Sequence, residues 1–222
     1  MPAYDQERGL ARQDLCRFLA ACYYQPGPEF AEEKVFDSMR HAAARIHPEL
    51  AAEARRLGEQ FSAEGSESLL LDYTRLFLGP AQAIAGPYGS VWLENQKTLM
   101  GGSTMAVLAL YEEGGFEMDE EFRELPDHIA AELEFLYLLI YRENEGHRNG
   151  EPEALKAATG LKKRFLDEQL GLWIGPFTAA VKAGAQSGFY RRLAELTDRF
   201  VKMEAGDSKT VSASPNRDIG DA

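Results

Sequence analysis

The residues best placed to do chemistry lie in one stretch, Glu124-Leu125-Pro126-Asp127-His128, followed at helical spacing by Glu132. A histidine and a carboxylate four residues apart share one face of a helix. Such a pair is the beginning of a metal site, but the sequence does not supply the rest. The other histidines are His41, His47 and His147, and none forms an HExxH pattern. A hydrogen bond or ion pair between His128 and Glu132 is a sufficient reason for their spacing. Glu132 falls inside the apolar stripe of Ile129, Leu133, Leu136, Leu139 and Ile140, where a carboxylate needs a partner. Nucleophilic and phosphate chemistry have less support. Ser90 and Ser103 stand in no GxSxG elbow, no Walker-type phosphate loop is present, and Gly101-Gly102-Ser103-Thr104 is a weak anion signal. Neither a catalytic residue nor a cofactor is expected.

Binding has more to work with. Pro126 suits a first helical turn and Asp127 suits the positive end of a helix dipole, so this stretch reads as a well-made helix start. Capping alone explains it. Asp127 also has the chemistry to accept a guanidinium through two hydrogen bonds. Residues 79–94 set Gly79, Pro80, Pro87, Tyr88, Ser90 and Trp92 on a backbone stiffened by proline and bent by glycine. Tyrosine and tryptophan offer large contact area with little entropy to lose, which suits peptide binding; the plainer reading is that these rings pin a long loop to the core. Residues 112–134 carry ten carboxylates against Arg123 alone. That is either a solvated connection between helices or a field that attracts a cationic peptide.

Helices must position these groups. Apolar spacings of three, four and seven predict helices over 6–24, from Pro28 to 46, over 48–61, and from Ser66 to a stop at Gly79-Pro80. After the long loop at 79–96, helices are expected over 98–113, from Pro126 to about 143, over 151–183 with a kink at Gly175-Pro176, and over 189–204. No turn-bounded alternating run predicts a strand, and no internal repeat is present. The expected fold is all-α, one compact helical domain over 1–205 with a polar, mobile tail over 206–222.

Composition agrees with a folded chain: 45% hydrophobic, 27% charged, in 222 residues. The formal net charge of −12 argues against nucleic acid as a ligand. The longest apolar run, 135–141, is far short of the roughly 20 residues that a membrane span needs. The first residues lack the basic start and apolar stretch of a secretory signal, so a cytoplasmic location is expected. Cys16 and Cys22 point to faces of one helix roughly 120° apart and do not readily bridge, in keeping with a reducing compartment.

Three segments, in order and spacing, resemble the TorD/DmsD family of chaperones. They are Tyr73-Thr74-Arg75-Leu76-Phe77-Leu78-Gly79-Pro80, Gly86-Pro87-Tyr88-Gly89-Ser90-Val91-Trp92, and Glu124-Leu125-Pro126-Asp127-His128 leading into Glu132-Leu133-Glu134-Phe135-Leu136. The resemblance runs from the first helix to about Glu204. It implies an all-helical cytoplasmic chaperone, not an enzyme, that binds the twin-arginine signal peptide or the apo catalytic subunit of a molybdopterin oxidoreductase and assists cofactor insertion before export. On that resemblance Pro126, Asp127 and His128 join Glu124 and the facing Gly79, Pro80, Pro87, Tyr88, Ser90 and Trp92 in a peptide site. Tyr23 and Tyr24 contribute by analogy. A monomer or a domain-swapped dimer is implied. Alternatives are a NarJ-like assembly chaperone of a cytoplasm-facing nitrate reductase, a nucleotide-binding or hydrolysing protein, and a purely structural helical subunit. The chain departs from the family pattern at Gln169, where relatives commonly carry histidine, and in its polar tail.

Overall fold

Asp5, His47 and His128 each turn a side chain back onto the first free amides of a helix: Arg8 N to Asp5 Oδ1 at 3.1 Å, Glu49 N to His47 Nδ1 at 3.2 Å, and Ala130 N to His128 Nδ1 at 3.2 Å. These local caps set three of the helix starts in a computed structural model of the chain. The structure describes residues 4–27, 34–79, 83–94, 101–118 and 124–212, with side chains to 206. Among them are ten α-helices: α1 Gln6–Cys22, α2 Val35–Ile46, α3 Pro48–Ala63, α4 Ser66–Tyr73, α5 Gly89–Leu93, α6 Gly102–Glu113, α7 Ile129–Asn149, α8 Pro152–Glu168, α9 Leu170–Gly184 and α10 Gly188–Ser212. A π-helical turn, Thr74–Leu78, follows α4. The described residues contain no strand, only an isolated antiparallel bridge between Tyr88 and His128. The all-α expectation therefore holds.

The helices form one packed body. α1 lies against α2 and α7, α7 against α8, and α10 against α3, α8 and α9. Their apolar faces meet in a single core that includes Leu15, Leu19, Leu136, Phe165, Phe177 and Phe200, all fully buried. Cys16 and Cys22 are buried thiols within it.

Five boundaries differ from the sequence expectations, each for a physical reason. The segment after Gly79 is not loop throughout, because α5 forms where Ser90 N donates to Asp127 Oδ2 at 2.8 Å, a cap supplied from 37 residues away. The helix after Pro126 begins at Ile129 instead, with Pro126 and Asp127 in the preceding turn and His128 as its cap, and it runs past the expected 143 to Asn149, where Gly150 (φ 67°) ends it. The 151–183 helix breaks at Gln169 (φ −130°, ψ −102°), while Pro176 stays inside α9. The chain doubles so tightly there that a Cβ at Gly171 would lie 2.1 Å from the Leu166 carbonyl oxygen. The last helix continues past Glu204 to Ser212, each added residue gaining a backbone bond once the helix is nucleated. The helix start expected at Pro28, and residues 213–222 of the tail, lie outside the described residues.

Candidate peptide-binding site

Two backbone hydrogen bonds build the site. Gly89 N donates to the Asp127 carbonyl and Ile129 N to the Pro87 carbonyl, both at 2.8 Å. They join the aromatic loop to the start of α7, so two motifs separated in sequence become one surface. His128 sits at the middle. The Tyr88 ring meets it edge-on with centroids 5.3 Å apart, and the Tyr24 ring, arriving from the end of α1, stacks on it at 6.5 Å.

Each of these tyrosines holds a carboxylate. Tyr88 OH donates to Glu124 Oε2 at 2.5 Å, and Tyr24 OH donates to Glu134 Oε1 at 2.7 Å. All four side chains are half-buried, so the carboxylates reach the surface beside His128. Burial and the neighbouring carboxylate both push the two phenols above their ordinary range, which keeps them as hydrogen-bond donors at neutral pH. Tyr73, also within the field of Glu124, is raised to about 12, chiefly by burial.

Beneath this surface lies a layer of buried polar groups. Asp127 is 1% exposed; one oxygen caps α5 through Ser90 N, and Oδ1 has no hydrogen-bond partner. Ser90 Oγ is likewise buried without one. His128 is pushed down to about 4 by burial, against the pull of Glu124 and Asp127, so it is a neutral imidazole that accepts from Ala130 N. Glu132 is fully buried and does not pair with His128 as its spacing suggested: its Oε2 accepts from Trp173 Nε1 at 3.1 Å and its Oε1 has no partner. Burial lifts its carboxyl well above the usual range, and the neutral acid is the form that an apolar surrounding tolerates.

The candidate residues divide by place. Tyr24, Tyr88, Trp92, Glu124 and Pro126 carry surface, whereas Pro87, Ser90, Asp127 and His128 are buried behind them. Trp92 donates from Nε1 to the Gly86 carbonyl at 2.9 Å and packs its ring on Phe177, so it also pins the loop. Tyr23 belongs to the core, with its hydroxyl on Thr197 Oγ1 at 3.1 Å. Gly79 (φ 54°) ends the π-helical turn, and Pro80 lies outside the described residues. Sequence reasoning placed Glu134 in the acidic run and in the family segment but not in the site, and it missed Trp173 and Tyr111, whose hydroxyl donates to the Pro126 carbonyl at 2.9 Å. No local pattern marks Trp173 or Tyr111, because each meets the site from another helix. Among the described residues no three His, Cys, Asp or Glu side chains are grouped to hold a metal, and no helix is long and apolar enough to cross a membrane.

An all-helical body with an aromatic, carboxylate-bearing surface has the form of a binding protein. The profile of the nitrate reductase delta subunit family matches residues 38–179, well over half of the chain, and the chain belongs to that family. Among curated proteins it is 32% identical over 137 residues to "Chaperone protein TorD" of Photobacterium profundum, covering 62% of each chain. It is 30% identical over 162 residues to the protein of the same name from Aliivibrio fischeri, covering 71% of this chain and 74% of that one. Against "Tat proofreading chaperone DmsD" of Salmonella typhimurium it is 33% identical over 107 residues, covering 48% and 52%. The chain thus spans about three fifths of the length of the first of these relatives.

Proposed function

We propose that this protein is a cytoplasmic chaperone that binds the twin-arginine signal peptide, and with it the apo catalytic subunit, of a molybdopterin oxidoreductase, assisting cofactor insertion before export. The observation that carries the reading is the pair of tyrosine-held carboxylates, Glu124 and Glu134, whose two tyrosine rings both pack on His128. A leader of this kind presents two adjacent guanidinium groups followed by an apolar stretch. Two surface carboxylates, each fixed through one oxygen and able to accept at the other, suit the first element. The rings of Tyr24, Tyr88 and Trp92 suit the second. In this reading Asp127 acts from below, holding α5 and hence Tyr88 in register, while Pro126 and Pro87 shape the rim. The names of the TorD and DmsD relatives support a chaperone over an enzyme.

Calorimetric titration with a twin-arginine leader, beside a copy whose paired arginines are alanine, tests the proposal. Binding of the first that weakens in the second is expected. Equal affinity for both would remove the carboxylates from the site. Absence of binding to any molybdoenzyme leader would leave the NarJ-like role, assembly of a nitrate reductase that is not exported.

A further inference from the structure

The chain carries a formal charge of −12, yet one cleft is cationic. It lies between α3 and the first half of α10, with the end of α9 at its rim, and encloses about 570 Å³. Arg56, Lys182, Arg191, Arg192 and Arg199 line it, against the carboxylates of Glu53 and Glu195. Glu53 is shared between Arg56 (2.5 Å) and Arg192 (3.4 Å), and Glu195 between Lys182 (3.0 Å) and Arg199 (2.7 Å). Arg191 rests on the carbonyls of Ala185 and Gln186, at 2.7 and 3.2 Å, rather than on a carboxylate. Arg199 also reaches Glu49 of α3 at 2.6 Å, so five cations meet three acids. The side chains of Arg56, Lys182, Arg192 and Arg199 keep 37% to 46% of their surface exposed, so their unused N–H groups face the cleft's solvent.

The shape selects among anions. The lining residues of α10 run from Gly188 to Arg199, roughly 16 Å along the helix axis. That length matches an extended chain of about five residues better than a single compact oxyanion. No aromatic ring lines the cleft, so it offers no stacking platform for a nucleobase. Arginine forks suit carboxylates through paired hydrogen bonds.

We propose that this cleft is a docking groove for an extended acidic segment of a protein partner. It shares no residue with the His128 surface, and its occupation is independent of leader binding.

The test is fluorescence anisotropy of labelled hexaglutamate titrated with the full chain at low salt, with hexaglutamine as control and a short single-stranded oligonucleotide as competitor. An Arg191→Gln/Arg199→Gln variant leaves buried Glu53 with both its partners and Glu195 with Lys182, frees only the exposed Glu49, and circular dichroism checks its fold. Hexaglutamate is expected to bind and hexaglutamine not, with at least about tenfold loss in the variant and a further loss near 1 M salt, where the screening length is about 3 Å. No binding of hexaglutamate, or binding unmoved by the variant, would overturn the proposal. Tighter capture of the oligonucleotide, lost in the same variant, would also overturn it and assign the groove to phosphates.

Discussion

Two buried polar regions of this molecule are built on opposite terms. Arg12 of α1, Glu143 of α7, Lys162 of α8 and Glu204 of α10 form a quartet deep between four helices. Arg12 grips Glu204 with two bonds, Nε to Oε1 at 2.7 Å and a terminal nitrogen to Oε2 at 2.6 Å, while Lys162 bridges Glu143 at 2.6 Å and Glu204 at 3.3 Å. Two cations and two anions balance. Around His128, by contrast, Ser90 Oγ, Asp127 Oδ1 and Glu132 Oε1 are buried without a hydrogen-bond partner, and two of the buried groups are held in their neutral forms. Buried polar atoms left unsatisfied cost stability and are uncommon in native proteins. The quartet fixes how helices pack; the His128 layer tolerates a cost, as regions organised for binding do.

The largest effect is expected from breaking the quartet. Glu204→Ala leaves buried Arg12 and Lys162 to share Glu143 alone and should cost about 3–5 kcal/mol in urea unfolding, with leader affinity unchanged in the folded fraction. Acid separates the regions as well. Glu204 is held at about 2 by Arg12 and Lys162 against its burial, below its ordinary 4.5. The unfolded chain binds that proton first, so the stability Glu204 contributes is complete above pH 4.5 and lost as pH falls towards 2. His128, lowered from 6.5 to about 4, also takes its proton more readily when unfolded, and its contribution is lost between those values. With Glu132, whose contribution runs the other way over the same range, replaced by Gln, stability against pH should fall in two windows, the upper one flattened by His128→Gln and the lower by Glu204→Gln. A single window would mean that the two regions do not titrate separately.

Next in size is Asp127→Ala, which removes the charge-assisted bond to Ser90 N. A loss of about 1.5–3 kcal/mol is expected, together with weaker leader binding, because α5 and Tyr88 lose their anchor. If affinity stayed constant while stability fell, Asp127 would be a structural cap and nothing more. Glu132→Gln should act in the other direction. The folded state holds the Glu132 proton above pH 4.5 where the unfolded chain releases it, so stability drains as pH rises through that range. A glutamine does not titrate and can still accept from Trp173, so the variant should gain about 1 kcal/mol at pH 7.

How much of this was legible in the sequence follows from where each determinant lies. Asp5, Pro48 and Pro152 sit beside the helix starts they set, and those starts were read closely, whereas the end of α7 before Gly150 (φ 67°) lies six residues beyond the expected 143. The start of α5 and the break at Gln169 were not read, since one depends on a carboxylate 37 residues away and the other on a tight reversal with no proline or positive-φ glycine at the turn. The Glu124-to-His128 motif was visible as a motif. Its surroundings were not: the partner of Glu132 is Trp173, 41 residues on, and Tyr24 reaches Glu134 across 110. The quartet left no trace at all, because its four members lie on four helices and each reads alone as one more solvent-facing charge.

The smallest expected effect is the most telling about the site. Tyr24→Phe and Tyr88→Phe each delete one hydroxyl from a half-buried pair and leave the ring against His128. Solvent can replace the lost bond, so each should cost less than about 1 kcal/mol of stability. The freed glutamate must then be immobilised when a guanidinium arrives, an entropy cost of about 0.5–1.5 kcal/mol that the tyrosine otherwise meets in advance. Affinity for a twin-arginine leader should drop about two- to tenfold, while affinity for the alanine-substituted leader should not move. Equal losses for both leaders would show that the hydroxyls shape the aromatic surface and not the carboxylates. The His128 region would then be a polar weak point of the fold with no stake in the arginines.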